Sequence, residues 1–277
     1  MSPYALAASL MIASGSIHAI VNAIVKSGRS KMASRAATDG TSALVLLPAV
    51  AFVPLPAGAW GWLAASTAIH AVYLLALVKA YETADFSAAY PVLRGIAPLL
   101  TALVTLGVLR EHATIAQVAG IAILGAGILT LAIGRHLDRA SLGWALLTGA
   151  CTACYTVIDA RGVRAAPSTA SYIVWAFALM GTMIVIQFAL LTRGRVFADM
   201  RDGWRPCAVA GILSIVTYGA ALYAFSLGPT APLAALRETG MVTALAIGVF
   251  VMREVVTPKR VVAVTAILAG AVLILVR

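Results

Sequence analysis

A 22-residue stretch occurs twice in this chain, as LRGIAPLLTALVTLGVLREHAT at 93–114 and as LRETGMVTALAIGVFVMREVVT at 236–257. The offset of 143 residues pairs Arg94 with Arg237, Arg110 with Arg253, Glu111 with Glu254 and Thr114 with Thr257. Each copy sets an arginine deep in an apolar run and closes that run 16 residues later on an Arg-Glu pair. The fold must therefore accommodate one unit twice. The leading helices of the two units align more loosely, His18 and Asn22 matching Tyr155 and Asp159 at an offset of 137, each pair one helical turn apart on one face.

With 62% hydrophobic and 11% charged residues and a mean hydropathy of +0.98, the unit is too apolar for a soluble domain, where roughly a quarter of residues are charged. A bilayer core about 30 Å thick needs roughly 20 apolar residues per helix. Spans are predicted at 4–25, 37–56, 60–80, 86–109, 115–134, 142–160, 170–192, 206–227, 231–252 and 258–276. The first begins at Pro3 without a basic leader and is read as a helix rather than a cleaved signal. Five helices per unit is an odd number, which sets the copies in opposite orientations across the membrane. The expected fold is all-α, with ten transmembrane helices as two inverted five-helix repeats over residues 1–137 and 138–277. Loop charge supports this: the connections after helices 1, 3, 5, 7 and 9 hold 14 Lys and Arg, among them Arg29, Arg35, Arg135 and Arg201, and the other connections with Arg277 hold 4. The positive-inside bias then sets both termini outside the cytoplasm. The net charge of +10 is a topology signal, not a nucleic-acid footprint.

Arg94 falls roughly 12 Å into its predicted helix, near the bilayer middle, where an arginine costs at least about 2.5–3.5 kcal/mol on insertion scales. Two readings stand. In one, Arg94 and Arg237 face a watery cavity and offer bidentate donors to a carboxylate, phosphate or phosphonate. In the other they are neutralised internally by Asp85, Asp159 or Glu238 and brace the helices. Glu238 replaces Gly95 of the first copy, and could meet a substrate ammonium, carry a coupling proton, or pair with an arginine. Tyr90, Tyr155, His18, Asn22 and Asp159 complete the candidate substrate site. His70, Tyr73, Tyr218 and Tyr223 read as packing residues, and Trp60, Trp62, Trp144 and Trp204 as interfacial anchors. Glu111 and Glu254 read as local salt-bridge partners of Arg110 and Arg253. Ala116-x-x-x-Gly120 and Ala266-x-x-x-Gly270 offer small faces for close helix contact, while Pro91 and Pro98 bend helix 4 near Arg94. Cys151 and Cys154 lie in an apolar span without a second pair, so no metal is expected. Walker, H-E-x-x-H and G-x-S-x-G patterns are absent, so the residues support neither an ATPase nor a familiar hydrolase, and no cofactor is called for.

The helices ending at Leu109-Arg110-Glu111 and Met252-Arg253-Glu254, each followed by a helix closing on Gly127 or Gly270, resemble the two EamA domains of the drug/metabolite transporter superfamily. Tyr90–Gly95 and Ala235–Thr239 further resemble a subgroup of bacterial EamA proteins, some associated with phosphonate utilisation. The resemblance implies ten helices in inverted repeats, a central cavity lined by helices 1, 3, 4, 6, 8 and 9, and alternating-access transport of small metabolites in the bacterial inner membrane. The loop Pro54–Gly58 departs from the family pattern in lacking basic residues.

The reading that joins these features is a secondary active transporter of a small anionic or zwitterionic metabolite, with protons as candidate coupling ions and the bilayer as the other partner. The internal repeat supplies both halves of a cavity, so a monomer suffices and a dimer is not required. An exporter of amino acids or cationic compounds with structural arginines is the alternative within transport. A non-transporting accessory or lipid-headgroup-handling protein is the alternative from another class.

Overall fold

The computed structural model describes residues 2–28, 30–84, 86–134, 137–201, 203–250, 253 and 255–276. Arg29, Asp85, Arg135, Met252, Glu254 and Arg277 lie outside them, as does the expected pairing of Glu254 with Arg253. The described residues form helices and connections without a β-strand. In order these are α1 (Pro3–Ser27), α2 (Lys31–Leu46) with a 3-10 turn Leu47–Ala51, α3 (Trp60–Thr83), α4 (Phe86–Ala102) running into a π turn Leu103–Val108, α5 (Ile115–Thr130), α6 (Arg139–Ala165), α7 (Thr169–Leu191), α8 (Arg195–Arg201), α9 (Trp204–Leu227), α10 (Thr230–Arg237), α11 (Gly240–Phe250) and α12 (Pro258–Leu275). Eight segments are long and apolar enough to cross a membrane, with α10 and α11 counted as one. Large apolar side chains face outward, such as Ile115 at 90% and Phe250 at 83% exposure, an arrangement that water would penalise and lipid accepts.

The repeated Arg-Glu-x-x-Thr motif is a helix stop followed by a helix start. Arg110 and Arg253 both take φ of 55°, the left-handed conformation that ends a helix, at a site where a cation also favours the helix C-terminus. Four residues on, the hydroxyl of Thr114 accepts from Gln117 N and that of Thr257 from Arg260 N, capping α5 and α12. The two capped helices cross at their small faces: a Cβ on Gly120 would lie 2.6 Å from Gly270 O. Packing recurs in matched sets, α3 on α6 with α1 on α9, α4 on α6 with α1 on α10 and α11, and α2 on α7.

Two helices depart from expectation. The second was expected over 37–56, but Ser30 accepts from Ala33 N and starts α2 at Lys31; Arg35, counted above as a loop charge, is consequently inside the helix. The ninth was expected to run unbroken over 231–252. It stops at Arg237 because Glu238 N and Thr239 N turn back to Ala235 O and Leu236 O at 3.0 and 3.1 Å, and the Thr239 hydroxyl takes Leu236 O at 2.7 Å. A side chain thus competes for a carbonyl that the continuing helix would use. The chain restarts at Gly240, whose backbone lies against that of Gly15 on α1, too close to admit a Cβ on either residue.

Candidate functional site

Three arginines approach the middle of the molecule. Arg94 of α4 reaches Glu238 at the α10–α11 break, Nε to Oε2 2.8 Å, with 8% and 6% of the two side chains exposed. Arg35 of α2 reaches Asp39 one turn on, Nε to Oδ2 2.8 Å. Both contacts are ion pairs without the angle of a good hydrogen bond. Arg237 is as buried as Arg94, yet it has no carboxylate partner among the described residues. Its Nε donates to Ser14 Oγ at 3.2 Å, and its guanidinium lies 5.3 Å from the centre of the Tyr218 ring.

These side chains border two cavities. The larger, about 180 Å³, is lined by His18, Asn22, Arg35, Tyr73, Tyr81, Tyr90 and Arg94, with Thr152 on its floor. The smaller, about 40 Å³, is lined by His18, Arg35, His70, Tyr73, Tyr155, Tyr218 and Arg237. His18, Arg35 and Tyr73 border both. Asn22 Nδ2 donates to the Tyr90 hydroxyl at 3.3 Å, and Arg94 lies 5.8 Å from that ring's centre. His70 donates from Nδ1 to Ser66 O at 2.9 Å and stacks on Tyr155 at 4.2 Å between centroids. The walls carry several tyrosines, and charged groups converge on them, Lys31, Arg35 and Arg94 at the larger cavity and Arg35, Arg237 and Asp39 at the smaller, a setting suited to a charged small molecule.

The sequence-derived candidates divide. His18, Asn22, Tyr90, Arg94, Tyr155 and Arg237 border one cavity or the other. Glu238 stands behind Arg94 as its ion partner. Asp159, proposed as a neutralising acid for an arginine, instead accepts from Tyr172 at 2.7 Å and from Tyr218 through a short hydrogen bond. Asp85 lies outside the described residues. His70, Tyr73 and Tyr218, read as packing residues, line the smaller cavity. Arg35 and Asp39 were not anticipated at all, although their spacing of four on a Ser30-capped helix is a readable i,i+4 ion-pair signal.

A separate network joins the end of the π turn to α6 and α10. Glu111 does not pair with Arg110 as expected. Its carboxylate accepts from Thr230 N at 2.8 Å, from the Thr230 hydroxyl at 2.9 Å and from Arg164 Nη1 at 3.1 Å, while Arg164 also donates to Phe225 O and Gly228 O at 2.9 and 2.6 Å. A carboxylate at the N-terminus of α10 suits the helix dipole. Trp175, the one tryptophan not assigned to an interface, packs edge-on against Trp60 at 5.0 Å.

Residues 139–276 match the model of the EamA-like transporter family. The chain belongs to that family. The match falls on the second half, α6 to α12, and a solved structure extends the fold likeness to the first. A crystal structure whose title names no function superposes with a TM-score of 0.73, covering 98% of this chain and 95% of its own at 17% identity. No curated protein matches the sequence. An EamA-like protein of this kind is a multi-pass membrane transporter, and its members are not enzymes.

Proposed function

We propose that this EamA-like protein is a secondary active transporter of a small anionic or zwitterionic metabolite, a carboxylate, phosphonate or amino-acid-like compound, working by alternating access. In this reading α1 to α5 and α6, α7, α9, α10–α11 and α12 are ten spans forming two inverted repeats over residues 1–137 and 138–277, with both termini outside in a bacterial inner membrane. The matched helix contacts and the left-handed Arg110 and Arg253 support the duplication.

The observation that carries the substrate class is Arg237. A guanidinium inside the bilayer costs several kcal/mol unless it is paired, and Arg35 and Arg94 each have a carboxylate while Arg237 has a serine oxygen and a ring face. A substrate anion in the cavity would supply the missing charge. Glu238 and Asp159 would meet a substrate ammonium or a coupling proton by giving up Arg94 and the two tyrosines, and Asp39 is the acid that borders the smaller cavity. The alternative in which the arginines only brace the fold accounts for Arg35 and Arg94 but leaves the charge of Arg237 unanswered.

The test is thermal stabilisation of detergent-purified protein by phosphonates, phosphate esters, carboxylates, amino acids and organic cations. A ligand at a hundred times its Kd stabilises the native state by about 2.7 kcal/mol. Anions or zwitterions are expected to stabilise it and cations are not; stabilisation by cations alone would overturn the assignment. A reporter fused after residue 277 tests orientation, and cytoplasmic activity there would reverse it.

A further inference from the structure

We propose that the groove between α2 and α7, where α8 leads into α9, is a binding site for an anionic phospholipid. One acyl chain lies in the groove and the phosphate rests among Arg193, Arg195, Arg201 and Arg205. The groove measures about 450 Å³ and its walls include Leu44, Leu47, Val185, Ile186, Phe197 and Trp204. Its walls are apolar side chains standing outward, Leu44 at 71% and Trp204 at 56% exposure. The floor is narrow because the helices approach through small residues: Gly181 meets Asp39 O too closely to admit a Cβ, and a Cβ on Gly40 would lie 2.9 Å from Val185 Cγ2. Thr41 and Thr182 are the hydroxyls among its lining residues and the rest of the lining is overwhelmingly apolar, so in a bilayer the recess favours hydrocarbon over water. It takes an acyl chain.

The arginines select which lipid. α8 is a short helix anchored by Val196, 1% exposed, with Phe197 and Met200 on the groove and exposed arginines at its two ends, Arg195, whose Nε donates to Thr192 O at 3.3 Å, and Arg201. Arg205 lies 5.8 Å from the centre of the Trp204 ring, so a groove-lining residue carries a cation at its edge. None of Arg193, Arg195, Arg201 and Arg205 has a carboxylate partner among the described residues, although Asp199 shares the helix. Topology alone asks for a number of positive charges on this side; it does not ask that they flank the helix whose Phe197 and Met200 line an apolar recess. Basic clusters beside a span attract anionic headgroups, and salt screens that attraction over about 8–10 Å. The groove between α11 and α12 is an internal control. It is also apolar, about 320 Å³, but the cation lining it is Arg260, whose Nη1 donates to Val255 O at 2.9 Å.

The experiment uses full-length protein, stripped of lipid in a neutral detergent, and measures retention by native mass spectrometry of phosphatidylglycerol against phosphatidylcholine of the same chains. At least a fivefold preference for phosphatidylglycerol is expected, falling to none in Arg201→Gln/Arg205→Gln and in 0.5 M salt on the unaltered protein. Leu44→Trp, which fills the groove, is expected to lower retention of both lipids. Glycerophosphoglycerol, the headgroup without chains, is expected not to compete. Equal retention of the two lipids, a preference that survives both the double variant and salt, or competition by the chainless headgroup would each overturn the proposal. The salt titration stands even where a variant fails to fold.

Discussion

The helix that carries Arg94 and the helix that carries Arg237 lie in like stretches of sequence, 93–114 and 236–257, yet are different structures. α4 runs on from Phe86 to Ala102 despite Pro91 and Pro98, and Gly95 lets it press on α5, where a Cβ would meet Leu129 Cγ at 2.8 Å and Gly125 O at 3.2 Å. Its counterpart stops at Arg237, restarts at Gly240, and stands off from α12 across an open apolar groove. The residue that differs is the one after the arginine. As glycine it packs two helices; as Glu238 it crosses to the other copy and binds Arg94. The difference gives Arg94 a carboxylate partner and leaves Arg237 without one among the described residues, so two like stretches hold one neutralised and one unneutralised guanidinium.

That contrast can be broken at several points, the most severe being the restart itself. Gly240→Leu would drive a side chain into the Gly15 backbone of α1, and a clash that only backbone movement relieves is expected to cost more than about 4 kcal/mol. Size-exclusion of a fluorescent fusion should show the folded peak lost. Arg94→Ala leaves Glu238 buried and alone, a destabilisation of about 3–5 kcal/mol, whereas Arg94→Ala/Glu238→Ala should be less than additive because the two residues share one interaction. Thermal denaturation of the single and double variants checks the coupling; additive losses would mean the pair is incidental. Gly95→Ala sharpens the other side. It overpacks the α4–α5 contact against a side chain that can shift, for about 1–3 kcal/mol. Glu111→Gln is the mildest, since Arg164 is 31% exposed and such pairs are worth about 1 kcal/mol or less; its loss should lower the melting temperature slightly while anion binding stays unchanged.

Much of this was legible in the sequence because it is local. Apolar length marks the spans, Arg-Glu marks the helix ends, and the small residues at Ala116–Gly120 and Ala266–Gly270 mark faces for close helix contact. The break after Arg237 was less legible, because Glu-Thr-Gly inside an apolar run becomes a stop only when α1 presses Gly15 against it. Arg35 lies in a helix and not a loop because Ser30 caps α2, a local signal that the apolar pattern of 37–56 hides. The tyrosines on Asp159 and the partners of Glu111 could not be read at all: Tyr218 is 59 residues from Asp159, and Thr230 is 119 from Glu111. The first exists only once α6, α7 and α9 have packed, and the second only once Glu111 of the first half meets Thr230 and Arg164 of the second.

Equilibrium binding of the best-stabilising anion to Arg237→Gln is the most direct test of the claim that Arg237 is the charge the substrate answers. Removing one partner of a buried charge contact costs at least about 2 kcal/mol, so affinity should fall about thirtyfold or more in a protein that still elutes as a single folded species. Unchanged affinity in that folded variant would show that Arg237 does not bind the anion, and the proposed site would be wrong.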